Sequence, residues 1–156
     1  MKASSLKQVQ HLKTDIKTAW DFFSTPLKLA EITPDWLNFQ IVSDVPETMY
    51  EGLIVQYNVH PFLSIPIGWT TEITHSKEPY FFVDEQRAGP YKLWHHQHHF
   101  KETETGVEMT DIVHYILPLE PFSRFLLGGI VSKKLDDIFS YRRKALDKKF
   151  NSKKEY

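Results

Sequence analysis

Between residues 38 and 117 the chain is a succession of strand-type segments joined by connections too short to carry a helical crossover. The segments are 38–43, 52–60, 67–76, 80–87, 91–101 and 106–117. Asp44-Val45-Pro46, Pro61 to Pro66, Glu78-Pro79, Gly89-Pro90 and Glu104-Thr105-Gly106 break them. A parallel neighbour needs a crossover of about a dozen residues or more, so these segments are expected to form an antiparallel meander. An earlier strand is expected at Ser4 to Leu12. Thr14-Asp15 then caps a short helix with apolar positions Ile16, Ala19, Trp20 and Phe23. A second short helix holds Leu27, Leu29, Ala30 and Ile32, and stops at Thr33-Pro34. After Pro118 and Pro121 a long amphipathic helix runs to about Phe150. It carries Phe122, Phe125, Leu126, Val131, Leu135, Ile138, Phe139, Leu146 and Phe150, with Arg142 filling a gap in the stripe. Gly128-Gly129 is expected to interrupt the start of that helix.

The predicted fold class is therefore α+β: seven antiparallel strands wrapped round one long C-terminal helix, with two short helices after the first strand. A curved sheet with a helix across its mouth often leaves a hollow. At 156 residues and 18.4 kDa the chain is expected to be one domain over 1–156. Aromatic residues make up 14% of it, enough to require a thick core or a cavity to line.

Several functions are excluded or disfavoured by composition. There is no cysteine, so disulfides, thiolate catalysis and iron–sulfur clusters are ruled out. A formal charge of −1 gives no reason to expect nucleic acid as a partner. No apolar run reaches the length of a signal peptide or of a membrane span, so stable membrane insertion is not expected and a cytoplasmic location is the default. Residues 132–156 carry a local surplus of positive charge, read as a solvated helix face or as a contact for an anionic membrane or protein partner. No GxSxG, P-loop, GxGxxG or HExxH motif occurs.

What remains is a question of which side chains point inward. A one-residue shift exchanges the two faces of a strand. In 91–101 the face Trp94, His96, His98, Phe100 brackets two imidazoles between large rings. In 106–117 the face Val107, Met109, Asp111, Val113, Tyr115 is apolar apart from one carboxylate. In 80–87 the matching face is Phe82, Asp84, Gln86. These choices gather Asp84, Gln86, Trp94, His96, His98, Asp111 and Tyr115 on one concave surface. Buried carboxylates and imidazoles must be paired, and His–Asp bonds across neighbouring strands are the simplest solution.

Three readings of the cluster are open: a polar network that fixes register, a set of groups that orients a ligand's polar end, or chemistry. Chemistry would mean His96, His98 and Asp111 as acid/base groups of a cyclase or dehydratase. A metal is not expected, because His95, His96, His98 and His99 alternate faces and only two can share an ion.

The run Asp84-Glu85-Gln86-Arg87-Ala88-Gly89-Pro90-Tyr91-Lys92-Leu93-Trp94-His95-His96-Gln97-His98-His99-Phe100, then Asp111-Ile112-Val113-His114-Tyr115 and Ile138-Phe139-Ser140-Tyr141-Arg142, resembles a bacterial branch of the SRPBCC superfamily. Ala19-Trp20-Asp21-Phe22-Phe23 and Leu29-Ala30-Glu31-Ile32-Thr33-Pro34 fit it too. This is the START/Bet v 1-like group, and the branch is loosely labelled cell-division inhibitor-like. The resemblance spans essentially the whole chain. It implies a helix-grip fold enclosing a ligand cavity, with Asp84, Gln86, Trp94, His96, His98, Asp111 and Tyr115 as signature positions. It implies no single function, since the superfamily holds lipid and hormone carriers, polyketide cyclases, chaperone activators and oxygenase domains.

The expected function is binding of a hydrophobic or amphipathic small molecule, without a cofactor, by a monomer or a homodimer paired through an edge strand. Trp20, Trp94, Phe100, Tyr115, Phe139 and the helix's apolar face are expected to line the cavity. Asp84, Gln86, His96, His98 and Asp111 are expected to hold the polar end.

Overall fold

A computed structural model describes residues 2–61, 65–119 and 121–152. Part of the expected break between Pro61 and Pro66, and the end of the basic tail, lie outside these residues. Seven strands form one antiparallel sheet: β1 (Ser4–Leu12), β2 (Gln40–Ile41), β3 (Ile54–Val59), β4 (Ile67–Lys77), β5 (Phe81–Ala88), β6 (Leu93–Thr103) and β7 (Gly106–Ile116). The spatial order is β1-β7-β6-β5-β4-β3-β2, so the meander from β2 to β7 is closed off by β1 at the β7 edge. Register shifts in the β4–β5 pairing, at Thr70/Thr71 and Ile73/His75, give β4 extra bend.

Helix α1 (Ile16–Phe23) starts where the side chain of Asp15 accepts from the Thr18 backbone N–H at 2.8 Å, as the capping pattern predicts. The second short helix is a 3-10 segment, Pro26–Ile32, and a further 3-10 turn follows at Asp35–Leu37. That turn ends on Asn38 in the left-handed region (φ 44°), which shortens the strand expected over 38–43 to two residues. Helix α2 (Phe122–Leu146) is 25 residues long and runs unbroken through Gly128-Gly129, so the expected interruption is not there. A π-helical turn, Asp147–Asn151, extends it.

The core has two parts. Trp20, Phe82 and Phe100 meet edge to face or stacked under α1, together with Leu12, Met109 and Leu146. Trp94, Val113, Tyr115, Leu135 and Phe139 form the second part, between β6, β7 and the middle of α2. Leu135, Phe139, Arg142 and Leu146 are all buried, and their spacing of four, three and four residues is one face of the helix. Between the two clusters the curved sheet and α2 do not meet, and the interior is hollow.

Candidate functional site

The hollow is a cavity of about 350 Å³. Its aromatic wall comes from alternate residues of β3, β4 and β6. Tyr57 stacks on Trp69 (ring centroids 5.7 Å), and Trp69 meets Trp94 edge to face at 5.1 Å. Tyr91 closes against both tryptophans. Val131, Leu135, Ile138 and Phe139 line the opposite side from α2. Trp36 and Leu127, lining residues that stay about half exposed, mark where the cavity reaches the surface between the Asp35–Leu37 turn and α2. The Lys134 ammonium sits 4.3 Å over the Trp36 ring there.

The polar end is built by strand register. Asp84 on β5 is directly opposite His96 on β6, and His98 is directly opposite Asp111 on β7. His96 Nε2 bonds Asp111 Oδ1 at 2.9 Å, and His98 Nε2 bonds Asp84 Oδ2 at 2.7 Å. The remaining ring nitrogens lie close to the other carboxylate: His98 Nδ1 is 2.9 Å from Asp111 Oδ1, off the hydrogen-bonding direction, and His96 Nδ1 is 3.6 Å from Asp84 Oδ2. The two imidazoles lean on each other with ring centroids 3.7 Å apart. Arg142, reaching in from α2, places Nη1 3.4 Å from Asp111 Oδ1.

These charges set one another. Burial pushes the Asp111 carboxyl up, but the Arg142 charge, the bond from His96 and the close approach of His98 outweigh it and hold the group well below its ordinary value. Asp84 is likewise pushed up by burial and is lowered overall, by the charge of His96 and the bond from His98. Burial disfavours charge on both imidazoles. In His98 the adjoining Asp111 carboxylate and the bond to Asp84 prevail and the value is raised. In His96 burial and the neighbouring His98 prevail and it is lowered. The two imidazoles are thus set in opposite senses, His98 toward its charged form and His96 toward its neutral form, between two lowered carboxylates and Arg142.

Asp84, Trp94, His96, His98 and Phe139 line the cavity as expected from the sequence. The other expected residues are placed elsewhere. Asp111 is buried behind the imidazoles, where it orients them. Gln86 spends its amide on the β5–β6 turn: Nε2 donates to Tyr91 O at 2.6 Å, and Oε1 accepts from Tyr91 N–H at 3.1 Å. Trp20 and Phe100 are in the solid core under α1, and Tyr115 packs behind Trp94. Strand parity correctly picked the face of Phe100 and Tyr115, but the hollow does not extend that far along β6 and β7. The sequence reading missed Tyr57, Trp69 and Tyr91 as wall residues, and Arg142 as part of the polar end. For Arg142 a signal existed, because a charged residue inside an apolar helical stripe requires a buried partner.

No protein-family model matches the chain, and no curated protein matches it in sequence. Among solved structures it is similar to a protein from Chromobacterium violaceum, with TM-score 0.69, 11% identity and coverage of 96% of this chain and 99% of that one. It is similar to the ginseng major latex-like protein 151 from Panax ginseng, with TM-score 0.63, 13% identity and coverage of 95% and 97%. A protein from Thermus thermophilus matches with TM-score 0.66, 13% identity and coverage of 93% and 95%. The fold is the Bet v 1-like helix grip. At these identities the likeness is one of fold alone. In this helix grip, the sheet supplies the aromatic wall and both carboxylates, and the gripped helix supplies Arg142.

Proposed function

We propose that this protein binds a hydrophobic or amphipathic small molecule inside the helix grip, as a carrier or sensor. The observation that carries the reading is the cavity itself: about 350 Å³, walled by Tyr57, Trp69, Tyr91 and Trp94, and ending on Asp84, His96 and His98. That volume lies toward the small end of the range for small-molecule sites, and apolar walls with a few convergent polar groups are their usual character. The polar end already pairs its own charged groups, Arg142 beside Asp111 and the two imidazoles between Asp84 and Asp111. It favours a neutral oxygen function, such as a hydroxyl or carbonyl, over a strongly charged group.

The test is native mass spectrometry of protein purified without detergent, compared with the same sample denatured. A small-molecule adduct that leaves on unfolding is expected. Protein that carries no adduct, and takes up none when offered hydroxylated or carbonyl-bearing hydrophobic compounds, would contradict the reading.

One observation favours a second reading. His96 lines the cavity with its Nε2 held by the Asp111 carboxylate, and burial favours its neutral form, which is the arrangement of a general base. In a cyclase or dehydratase it would take a proton from a carbon next to a carbonyl. His96→Ala would then abolish turnover while leaving ligand uptake. In a carrier the same change lowers affinity or stability only.

A further inference from the structure

The polar end has the layout of a metal site. Each imidazole turns one nitrogen, His96 Nε2 or His98 Nδ1, toward Asp111, and each turns its other nitrogen toward Asp84 on the cavity side. Metal-binding histidines are usually held in this way, by a carboxylate behind the ring that fixes its orientation and raises its basicity. On the cavity side, one ligand atom each from Asp84, His96 and His98 lies within 4.8 Å of the others. The individual separations, 2.7 Å from His98 Nε2 to Asp84 Oδ2 and 3.6 Å from His96 Nδ1 to the same oxygen, bracket the ~3 Å expected between neighbouring ligands whose bonds to a metal are ~2.0–2.2 Å.

We propose that Asp84, His96 and His98 form a binding site for a divalent first-row transition ion, with Asp111 and Arg142 as the groups that position it. Two imidazoles and one carboxylate select such an ion over calcium or magnesium, which take mainly oxygen ligands. Three protein ligands leave coordination positions open, and the cavity lies on that side. In the metal-free protein a hydrogen bond joins His98 Nε2 to Asp84 Oδ2, and the ion takes the place of its proton. The bound ion would add positive charge to the polar end, so the favoured ligand would become an anionic or chelating oxygen group. The proposal does not depend on an organic ligand being found, because metal uptake is measured alone.

The experiment uses the full chain treated with a chelator and then titrated with Zn(II), and in parallel with Co(II). Stoichiometry is read by native mass spectrometry and coordination by the Co(II) visible spectrum. The expected result is one ion per chain. Asp84→Asn and His96→Gln should each weaken uptake at least ~100-fold, and Asp111→Asn by ~10–100-fold. His95→Gln/His99→Gln, on the outer face, should leave uptake unchanged. A measurement that needs no variant keeps the proposal falsifiable if the buried substitutions unfold the protein. Paramagnetic Co(II) should broaden the ring signals of His96 and His98 while those of His11 and His75 remain sharp. Wild-type protein that takes up no stoichiometric ion would overturn the proposal. So would uptake lost in the outer-face variant, or broadening confined to the surface histidines.

Discussion

At the scale of single residues, the buried charges are the most exacting feature. Asp111 faces both imidazoles and Arg142 with its side chain only 3% exposed, so Asp111→Asn takes the carboxylate away from the buried Arg142 guanidinium and from His96, while Asp84 still holds His98. Breaking a buried pair from one side costs about 3–5 kcal/mol, and urea unfolding of the variant should show a loss of that size. The pH dependence of the metal-free protein follows from the same groups. Asp84 and Asp111 are lowered in the fold, so their contribution is present above the ordinary carboxylate value and lost as pH falls through their folded values. His98 is raised, so its contribution is complete below ~6.5 and lost as pH rises through its folded value; His96 is lowered and acts in the opposite sense. The two imidazoles thus act in opposite senses near neutrality, whereas both carboxylates act in the same sense. Unfolding free energy should therefore fall on the acid side, which a denaturant series across pH would show. Period-two reasoning placed Asp84, His96, His98 and Asp111 on the inner face because parity is a local property of a strand. It carried Gln86, Phe100 and Tyr115 along into the cavity, because parity fixes a face and says nothing about how far the hollow runs.

At the scale of elements, the order and type of every strand and of the main helix were legible, since the breaks are Pro, Gly and Asp-rich and the periods are clean. In two places a local signal did not decide the outcome. The strand expected over 38–43 is curtailed by the turn at Asp35–Leu37, which ends on Asn38 in the left-handed region, and α2 passes unbroken through its glycine pair although that part of the helix is exposed. The β6–β7 turn shows the opposite case, a local requirement that cannot be overridden. Gly106 has φ +147°, and a Cβ there would meet Leu12 O at 2.1 Å. Gly106→Ala should therefore destabilise the protein by at least about 1–3 kcal/mol, measured by thermal or urea unfolding. It should do so without changing the metal or ligand affinity of the folded fraction, since the turn is outside the cavity lining.

At the scale of the whole molecule, the helix grip was foreseen from element order, but its contents were not. Whether a sheet and a helix enclose a solid core or a hollow depends on side-chain fit across β3, β4 and α2, and a linear pattern does not encode that distance. Two further surfaces bear on use. At the start of α2, Leu119, Phe122, Phe125 and Leu126 are exposed, while at its far end Arg143 donates to Val9 O and Lys149 pairs with Glu31. Part of the basic end is thus engaged within the chain. Among the described residues no helix is long and apolar enough to cross a membrane. Filling the hollow separates the cavity from the rest of the surface. Leu135 is buried and lines it, so Leu135→Trp should occupy part of the space, at a stability cost no greater than the ~1–3 kcal/mol of ordinary overpacking. The most direct measurement is the stoichiometry with which wild-type and Leu135→Trp protein bind a hydrophobic fluorophore. One probe per wild-type chain, with binding abolished in a folded Leu135→Trp variant, is the predicted result. Equal uptake by both proteins would place the probe on the exposed surface around Phe122 and Phe125 and contradict the account of an internal ligand site.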